Sequence, residues 1–138
     1  MPAVRRGAPE ATAHAVRFFA GEVSDAYLVR ADIQRGLSIV VWRGRHVVEP
    51  TELTAPEAAA YGADVLRAAR ALHAVFAPVK LNYDVLGNSV PHLHTHLVPR
   101  YADDPRPGWP FPFPEADPPP IPDAHLREQA AALRAAIR

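Results

Sequence analysis

Three histidines recur at alternate positions in the second half of the chain. His92, His94 and His96 stand in the string HLHTHLVPR. Successive side chains of a β-strand point to opposite faces, so the three imidazole rings are expected on one face, about 6.5–7 Å apart from one to the next. The residues between them would point to the other face, mostly into a core.

Three kinds of site are compatible with such a row of imidazoles. A neutral imidazole can attack a phosphorus centre while its neighbours hydrogen-bond the phosphate oxygens. Histidines at alternate strand positions also bind zinc, usually two from one strand with a third ligand from elsewhere, although the outer two rings here would be about 13 Å apart. The third interpretation is a polar ladder on the surface, and the residues alone leave all three open.

Composition excludes several other classes of function. The 138 residues carry 15 basic and 15 acidic side chains, and this balance argues against a protein that binds nucleic acid through bulk charge. The absence of cysteine excludes disulfides, cysteine-type zinc sites and a cysteine nucleophile. No apolar run of about 18 residues and no signal-peptide core are present, so a cytoplasmic location without membrane contact is expected.

Apolar patterning predicts a mixed α+β body. Four segments are predicted as strands, namely 25–30, 37–42, 79–85 and 90–100. A long amphipathic helix is predicted from the capping box of Thr54 and Glu57 to about Ala77, with Asp64 on its polar side. Residues 1–20 are expected to form a short helical or extended arm.

The chain ends in two segments of different character. Nine of the 16 prolines lie in residues 105–122, which are therefore expected to be extended. The alternation of Trp109, Phe111 and Phe113 indicates that this segment packs on the body. A final helix is predicted to start at a cap on Asp123. These features divide the chain into a domain at 1–104 with its core at about 25–104, a proline-rich segment at 105–122 and a terminal helix at 123–138.

The string from His92 to Arg100 resembles the signature of the histidine triad (HIT) family, in which three histidines alternate with apolar residues. The resemblance extends upstream to a glycine-led strand with a basic turn, to the start of a long helix and to a penultimate strand with its phosphate loop. These parts correspond to Gly36–His46, Leu53–Glu57 and Leu81–Pro91. Together they cover roughly Asp25 to Arg106.

This resemblance implies an α+β fold of the HIT type, in which an antiparallel sheet of about five strands carries a long helix on one face. The proline-rich C-terminal extension and the terminal helix lie outside the family core. The resemblance also implies a homodimer. No structural zinc is expected, because the N-terminal cysteine pair of some members is absent.

The implied activity is that of a nucleotide phosphohydrolase or nucleotidyl transferase acting at the α-phosphate. His94 would be the nucleophile and would form a covalent nucleotidyl–histidine intermediate. His92 and His96 would orient it and donate hydrogen bonds to the phosphate and leaving-group oxygens. Dinucleoside polyphosphates, or nucleoside monophosphate derivatives such as phosphoramidates, are the expected substrates. No cofactor is required, and magnesium would enter with the substrate phosphates.

The resemblance also implies substrate contacts. Asn82, Asn88 and Ser89 would hydrogen-bond the phosphates or the leaving group, and Asp32 would correspond to the ribose-binding acid. Each of these residues also has an alternative structural role. Asn88 and Ser89 could be ordinary turn residues, and Asn82 could occupy a solvent-facing position of its strand. Asp32 could cap a loop. For His46 the two interpretations are a contact with phosphate and a position in a solvated basic turn.

Two positions depart from the family pattern. Many members have a histidine where this chain has Leu37, and Thr95 takes a position that is usually apolar. Because this histidine is missing, a module that binds nucleotide without turnover is an alternative function. A metal-dependent hydrolase with a three-histidine site is the further alternative.

Overall fold

The strands and helices of the chain build one sheet and two helices beside it. The computed structural model describes residues 10–112, 114 and 116–138. Its elements are β1 (Ala15–Ala20), β2 (Ser24–Val29), β3 (Ser38–Trp42), a short 3-10 turn (Pro50–Glu52), α1 (Ala55–Phe76), β4 (Lys80–Asp84), β5 (His94–Arg100) and α2 (Asp123–Ala136). The described part of the predicted N-terminal arm is therefore extended and contains β1, while residues 1–9 lie outside the described residues.

The sheet has five strands in the order β1-β2-β3-β5-β4, and every neighbouring pair is antiparallel. Consecutive strands pair at one side, whereas β5 inserts between β3 and β4. This places the histidine strand in the interior of the sheet, next to both the glycine-led strand and the strand that precedes the triad. The predicted α+β fold with a sheet of about five strands is confirmed.

The helix α1 begins and ends where the sequence predicts. The Oγ1 atom of Thr54 accepts from the backbone N–H of Glu57 at 3.3 Å, and Oε1 of Glu57 accepts from the N–H of Thr54 at 2.8 Å. This reciprocal pair satisfies donors that a helix start leaves free. The helix ends before Pro78, whose ring disfavours helical backbone at the preceding residue.

The sequence places Asp64 on the polar side of α1, and this prediction is wrong because the side chain is buried. Its carboxylate accepts from the backbone N–H groups of Glu22 and Val23, at 3.1 and 2.9 Å, and from Oγ of Ser24 at 2.8 Å. A buried carboxylate is tolerated when donors satisfy it, and here the three donors come from the β1–β2 turn and the first residue of β2. Helical periodicity could not reveal this contact, because the donors lie 40 to 42 positions earlier in the chain.

The predicted strand at 90–100 is too long, because β5 begins at His94. Pro91 has no N–H to donate, and the backbone N–H of His92 turns back to the carbonyl of Val90 at 2.8 Å. His92 therefore precedes the strand. Leu93 is nevertheless held beside β3, since its carbonyl accepts from the N–H of Trp42 at 3.0 Å.

The proline-rich segment returns from the end of β5 to the end of β2. The N–H of Asp32 donates to the carbonyl of Pro119 at 3.0 Å, and the N–H of Ile121 donates to the carbonyl of Arg30 at 2.8 Å. Phe111 is half-buried, Trp109 is 49 % exposed and Phe113 lies outside the described residues.

The terminal helix α2 packs on α1 and β1 through three fully buried side chains, Leu126, Ala130 and Leu133. Asp123 is its first residue rather than its cap, because the carboxylate pairs with Arg30 and Arg127 instead of with the helix N–H groups. None of the helices among the described residues has both the length and the apolar character needed to cross a lipid bilayer.

A buried hydroxyl pair joins β5 to α1 behind the histidines. The hydroxyl of Tyr61 lies 2.7 Å from Oγ1 of Thr95 and donates to the carbonyl of Val40 at 3.2 Å. Burial raises the pKa of Tyr61 to about 12, so the phenol stays protonated. Thr95 therefore fits a position that is usually apolar because its hydroxyl has a partner.

We expect Tyr61→Phe to lower the free energy of unfolding by about 1–3 kcal/mol, because Thr95 then keeps a buried hydroxyl without its partner. Urea denaturation of the variant and the parent measures this difference. Tyr61→Phe combined with Thr95→Val removes both polar groups and should recover part of the loss. A single Tyr61→Phe variant as stable as the parent would contradict the prediction.

Candidate functional site

The strand β5 sorts its side chains between the core and the site. Leu93, Thr95 and Leu97 are at most 3 % exposed and pack on the side of α1. His94 and His96 are half-buried on the opposite face, and His92 extends the alternation just before the strand. The expected one-sided row of imidazoles is therefore present, with its first member in the approach to the strand.

The hydrogen bond of His94 determines which of its nitrogens can react. Nδ1 of His94 lies 2.6 Å from the carbonyl oxygen of His92. A carbonyl can only accept, so Nδ1 carries the proton of the neutral ring. The lone pair is then on Nε2, the nitrogen that a nucleophile needs.

His92 is held in the same way by a backbone carbonyl of β3. Its Nε2 donates to the carbonyl of Trp42 at 2.7 Å. In a neutral ring Nδ1 is then an acceptor, and it lies 3.3 Å from Nδ1 of His46. The two ring centroids are 5.4 Å apart. The structure thus brings His46 to the triad, where it supports His92.

The ring of His96 packs against two other rings. Its ring meets that of Phe111 edge-on, with centroids 5.5 Å apart and planes at 87°, and the ring of His94 at 5.2 Å and 70°. Burial lowers the pKa of His96 below 6.5, the positive form of His94 lowers it further, and the backbone of Asp84 acts in the opposite direction. Among the described residues, the buried Nδ1 of His96 has no hydrogen-bond partner.

An open cleft of about 400 Å³ lies over His94 and His96. Its other walls are Ile39 of β3 and the loop that joins β4 to β5. The lining residues are Ile39, Leu86, Gly87, Asn88, Ser89, Val90, His94 and His96. The structure therefore brings the predicted pair Asn88 and Ser89 to the two histidines. Gly87, with φ of 91°, turns the loop in a conformation that other residues avoid.

The other two predicted substrate residues lie apart from this cleft. Oδ1 of Asn82 accepts from the guanidinium of Arg100 at 2.9 Å. Asp32 is exposed and lines a different cleft of about 410 Å³ with Tyr101 and Asp103. Contact of either residue with a substrate stays a prediction.

A buried ion pair holds the chain that follows β5. Nε of Arg100 lies 2.6 Å from Oδ2 of Asp104, and both side chains are almost fully buried. The rest of the guanidinium donates to the carbonyls of Arg106, at 2.6 Å, and Trp109. Arg100 therefore determines the path of the segment that carries Phe111 to His96.

Two residues next to His96 were not predicted as part of the site. Phe111 was expected only to pack on the body, and its sequence distance from the triad hid the contact. Asp84 lies directly opposite His96 in the β4–β5 register. The sequence carries no local signal for Asp84, because the nine residues that connect β4 to β5 set a register that a short loop between the predicted strands would not give.

The histidines do not form a ready metal site. The nitrogens of His92 and Nδ1 of His94 are directed to protein partners. Among the described residues, no group of three histidine or acidic side chains is arranged to hold a metal ion.

Comparison with known proteins agrees with this geometry. A model of the HIT domain matches residues 15–103, and so includes β1 as well as the segments that carry the resemblance. No curated protein matches the sequence.

Several solved structures share the fold. A histidine triad protein from Sinorhizobium meliloti has a TM-score of 0.79 at 24 % identity, with 90 % of each chain covered. One from Marinobacter aquaeolei has a TM-score of 0.78 at 25 % identity, covering 91 % of this chain and 90 % of its own. A zinc-bound histidine triad family protein from Mycobacterium smegmatis has a TM-score of 0.67 at 26 % identity, covering 97 % and 88 %.

The matched region holds all five strands, the long helix and the three histidines. At the level of the family, this match supports nucleotide binding and hydrolase or transferase chemistry. The chain belongs to the HIT domain family.

Proposed function

We propose that this protein is a nucleotide hydrolase or nucleotidyl transferase in which His94 attacks the α-phosphorus of its substrate. The observation that carries the proposal is the 2.6 Å hydrogen bond from Nδ1 of His94 to the carbonyl of His92. It leaves the lone pair on Nε2 of a residue that lines an open cleft. Imidazole has an unperturbed pKa of about 6.5, so a large fraction of it is neutral near pH 7.

The reaction would proceed in two displacements. Nε2 of His94 forms a bond to the α-phosphorus as the bond from phosphorus to the leaving group breaks, and a nucleotidyl–histidine results. Water or another acceptor then attacks the phosphorus and loses a proton to solvent. This second step breaks the phosphorus–nitrogen bond, releases the nucleoside monophosphate or its transfer product, and restores His94.

The surroundings of His96 favour leaving groups that need no proton. Burial lowers the pKa of His96 and so favours its neutral ring, which can donate a hydrogen bond but is a poorer source of a proton than an ordinary histidine. A phosphate anion leaves without one, whereas the amine of a phosphoramidate must gain one. We therefore place dinucleoside polyphosphates before phosphoramidates among the proposed substrates.

The loop between β4 and β5 would hold the phosphates. Asn88 and Ser89 lie at the cleft with His94 and His96 and offer amide, hydroxyl and backbone donors. We propose no resident metal, and magnesium would arrive on the polyphosphate. We further propose that the protein is a homodimer. A cytoplasmic location stays a prediction of the sequence.

Two other functions have specific observations in their favour. Leu37, at the position where many members have a histidine, is 3 % exposed and cannot contribute to chemistry, which favours a module that only binds nucleotide. A zinc-bound relative from Mycobacterium smegmatis favours the metal-dependent hydrolase. Detection of a covalent intermediate separates the first alternative from the proposal, and metal depletion separates the second.

We expect His94→Ala to reduce hydrolysis of diadenosine tetraphosphate and triphosphate by about 10³-fold or more, because the nucleophile is lost. Mass spectrometry of acid-quenched protein should show one nucleotidyl group on the parent and none on the variant. His73→Ala is the matched control, since His73 is an exposed histidine of α1. Tight nucleotide binding by the parent without adduct or turnover would support the binding module instead.

We expect Phe111→Ala to raise the pKa of His96 towards 6.5, because removal of the covering ring hydrates the imidazole. Titration of the histidine side chains by NMR measures the shift. In the parent, His96 should titrate below the usual histidine value. A pKa of His96 that is unchanged by the substitution would show that other parts of the site cause its burial.

We expect the activity to survive complete removal of metal from the protein when the substrate itself is supplied with magnesium. Treatment with a tight chelator, removal of the chelator and metal analysis of the product establish the starting state. Loss of activity that returns with stoichiometric zinc, and not with magnesium, would favour the metal-dependent alternative.

A further inference from the structure

A strap of chain crosses the face of the sheet that carries the histidines. The strap, defined as residues 105–122, leaves the end of β5 and returns to the end of β2. Near its start, the guanidinium of Arg100 donates to the carbonyl of Arg106 at 2.6 Å and to that of Trp109. Arg100 is itself buried and paired with Asp104, so this end of the strap is fixed.

The other end of the strap is paired with the residue that follows the extended part of β2. Ala31 and Pro120 form an isolated antiparallel bridge, and both backbone hydrogen bonds of this bridge are made by the residues on either side of the pair. Pro120 therefore occupies a position that needs no N–H donor. The chain continues directly into α2, which is docked by three fully buried side chains. Both ends of the strap are thus held.

Buried apolar groups lie between the two ends. Val98 has the same parity in β5 as His94 and His96, so it points to the site face. It is fully buried, yet it does not belong to the buried cluster that includes α1 and α2. Pro112 of the strap is buried as well. A cover on the site face is needed to bury Val98, and the strap contacts this face at Arg100 and at His96. An apolar layer therefore holds the middle of the strap on the sheet.

His96 is oriented differently from the other two histidines. In His92 and His94, one ring nitrogen lies within 2.7 Å of a backbone carbonyl. The backbone of Asp84 raises the pKa of His96, but the buried Nδ1 of His96 has no hydrogen-bond partner among the described residues. Its ring instead meets the rings of His94 and Phe111. The direction of this imidazole therefore depends on ring packing more than that of the other two.

The contact with Phe111 limits how the imidazole can turn. The two planes meet at 87° with centroids 5.5 Å apart, an edge-on arrangement that aromatic pairs favour. Rotation of the His96 ring about its bond to Cβ would break this arrangement. His96 lines the cleft, whereas Phe111 is not one of the residues that line it. The phenyl ring therefore supports the imidazole from outside the cleft.

We propose that Phe111 is a positioning residue for His96, and that the strap keeps the two rings in contact throughout the reaction. The inference rests on the proposed function, in which His96 donates a hydrogen bond to the leaving-group oxygen, and it deepens that function. Phe111 touches neither the phosphorus nor the leaving group, so its effect passes through His96 alone.

Positioning of this kind affects one step of the reaction. A hydrogen bond weakens steeply when its donor turns away from the acceptor, so a rotating imidazole stabilises the departing oxygen less than a fixed one. The leaving group departs with the electron pair of the phosphorus–oxygen bond, and His96 keeps its proton. The benefit is largest for a leaving group that carries its negative charge poorly. Binding of the nucleotide itself is unaffected.

A series of aryl esters of adenosine monophosphate tests the proposal, because only the acidity of the departing phenol changes along it. The single-turnover rate of phenol release is measured at pH 8, where an ordinary histidine is neutral as well. We expect Phe111→Ala to lower this rate about threefold for the most acidic phenol and about thirtyfold for the least acidic one. The substrate concentration at half-maximal rate should change by less than about twofold.

Two variants serve as controls in this series. Phe111→Tyr keeps the ring and should stay within about threefold of the parent for every phenol. Trp109→Ala removes a half-exposed aromatic side chain from the same strap and keeps the carbonyl that binds Arg100, so it should leave the rates unchanged. A loss of equal size for all phenols, an equal loss in Trp109→Ala or an equal loss in Phe111→Tyr would overturn the proposal.

A reversible cross-link tests whether the strap stays in place. The chain has no cysteine, and the partners of an antiparallel bridge without direct hydrogen bonds have Cα atoms about 4.5 Å apart, which suits a disulfide. The oxidised double variant Ala31→Cys with Pro120→Cys should keep at least about half of the rate of its reduced form. A loss of rate that a reductant reverses would show that the strap must lift, which contradicts a fixed support for His96.

A measurement without substrate separates this inference from the proposed function. In the free parent, NMR should show a strong nuclear Overhauser effect between the ring protons of His94 and His96. It should weaken in Phe111→Ala and persist in Trp109→Ala. An unchanged effect in Phe111→Ala would overturn the inference whether or not the protein turns over nucleotides. Absence of a nucleotidyl adduct on the parent, by contrast, would count against the proposed function alone.

Discussion

The alternation of side chains along β5 is the constraint on which the site depends. Leu93, Thr95 and Leu97 are buried against the core, and this burial forces His94 and His96 to the opposite face. A slip of one residue would exchange the two sets, placing imidazoles in the core and leucines in the cleft. The core that stabilises the sheet therefore also determines the direction of the histidines, and the Tyr61–Thr95 contact reinforces the same register.

The hydrogen bonds around His92 and His94 determine which tautomer each neutral ring adopts. Backbone carbonyls accept from His92 and His94, and each contact selects the nitrogen that carries the proton. His96 differs, because its environment acts mainly through burial under Phe111. Three chemically identical side chains thus receive distinct properties from neighbours on β3, in the approach to β5 and on the proline-rich segment.

The segment after β5 belongs to the site as well as to the periphery of the fold. Burial of an ion pair is costly unless the remaining hydrogen-bonding capacity is satisfied. Arg100 meets this condition with Asp104, Asn82 and two carbonyls, so the segment is held at a defined position. The residues that precede Phe111 are thereby tied to the histidine strand β5, although they lie beyond the region matched by the family.

The sequence by itself determined the α+β class, the capped helix α1, four of the five strands and the identity of the histidine cluster, because these follow from periodicities of two and 3.6 residues and from a local motif. The resemblance to the HIT family also placed Asn88 and Ser89 beside the histidines, because both residues lie in the segment that matches the phosphate loop of the family. Tertiary structure alone decided the burial of Asp64, the late start of β5, the bond of Asn82 to Arg100 and the cover of His96 by Phe111. Each of these is a polar or aromatic contact between residues distant in sequence or a departure from regular pairing, and local pattern carries no information about such partners.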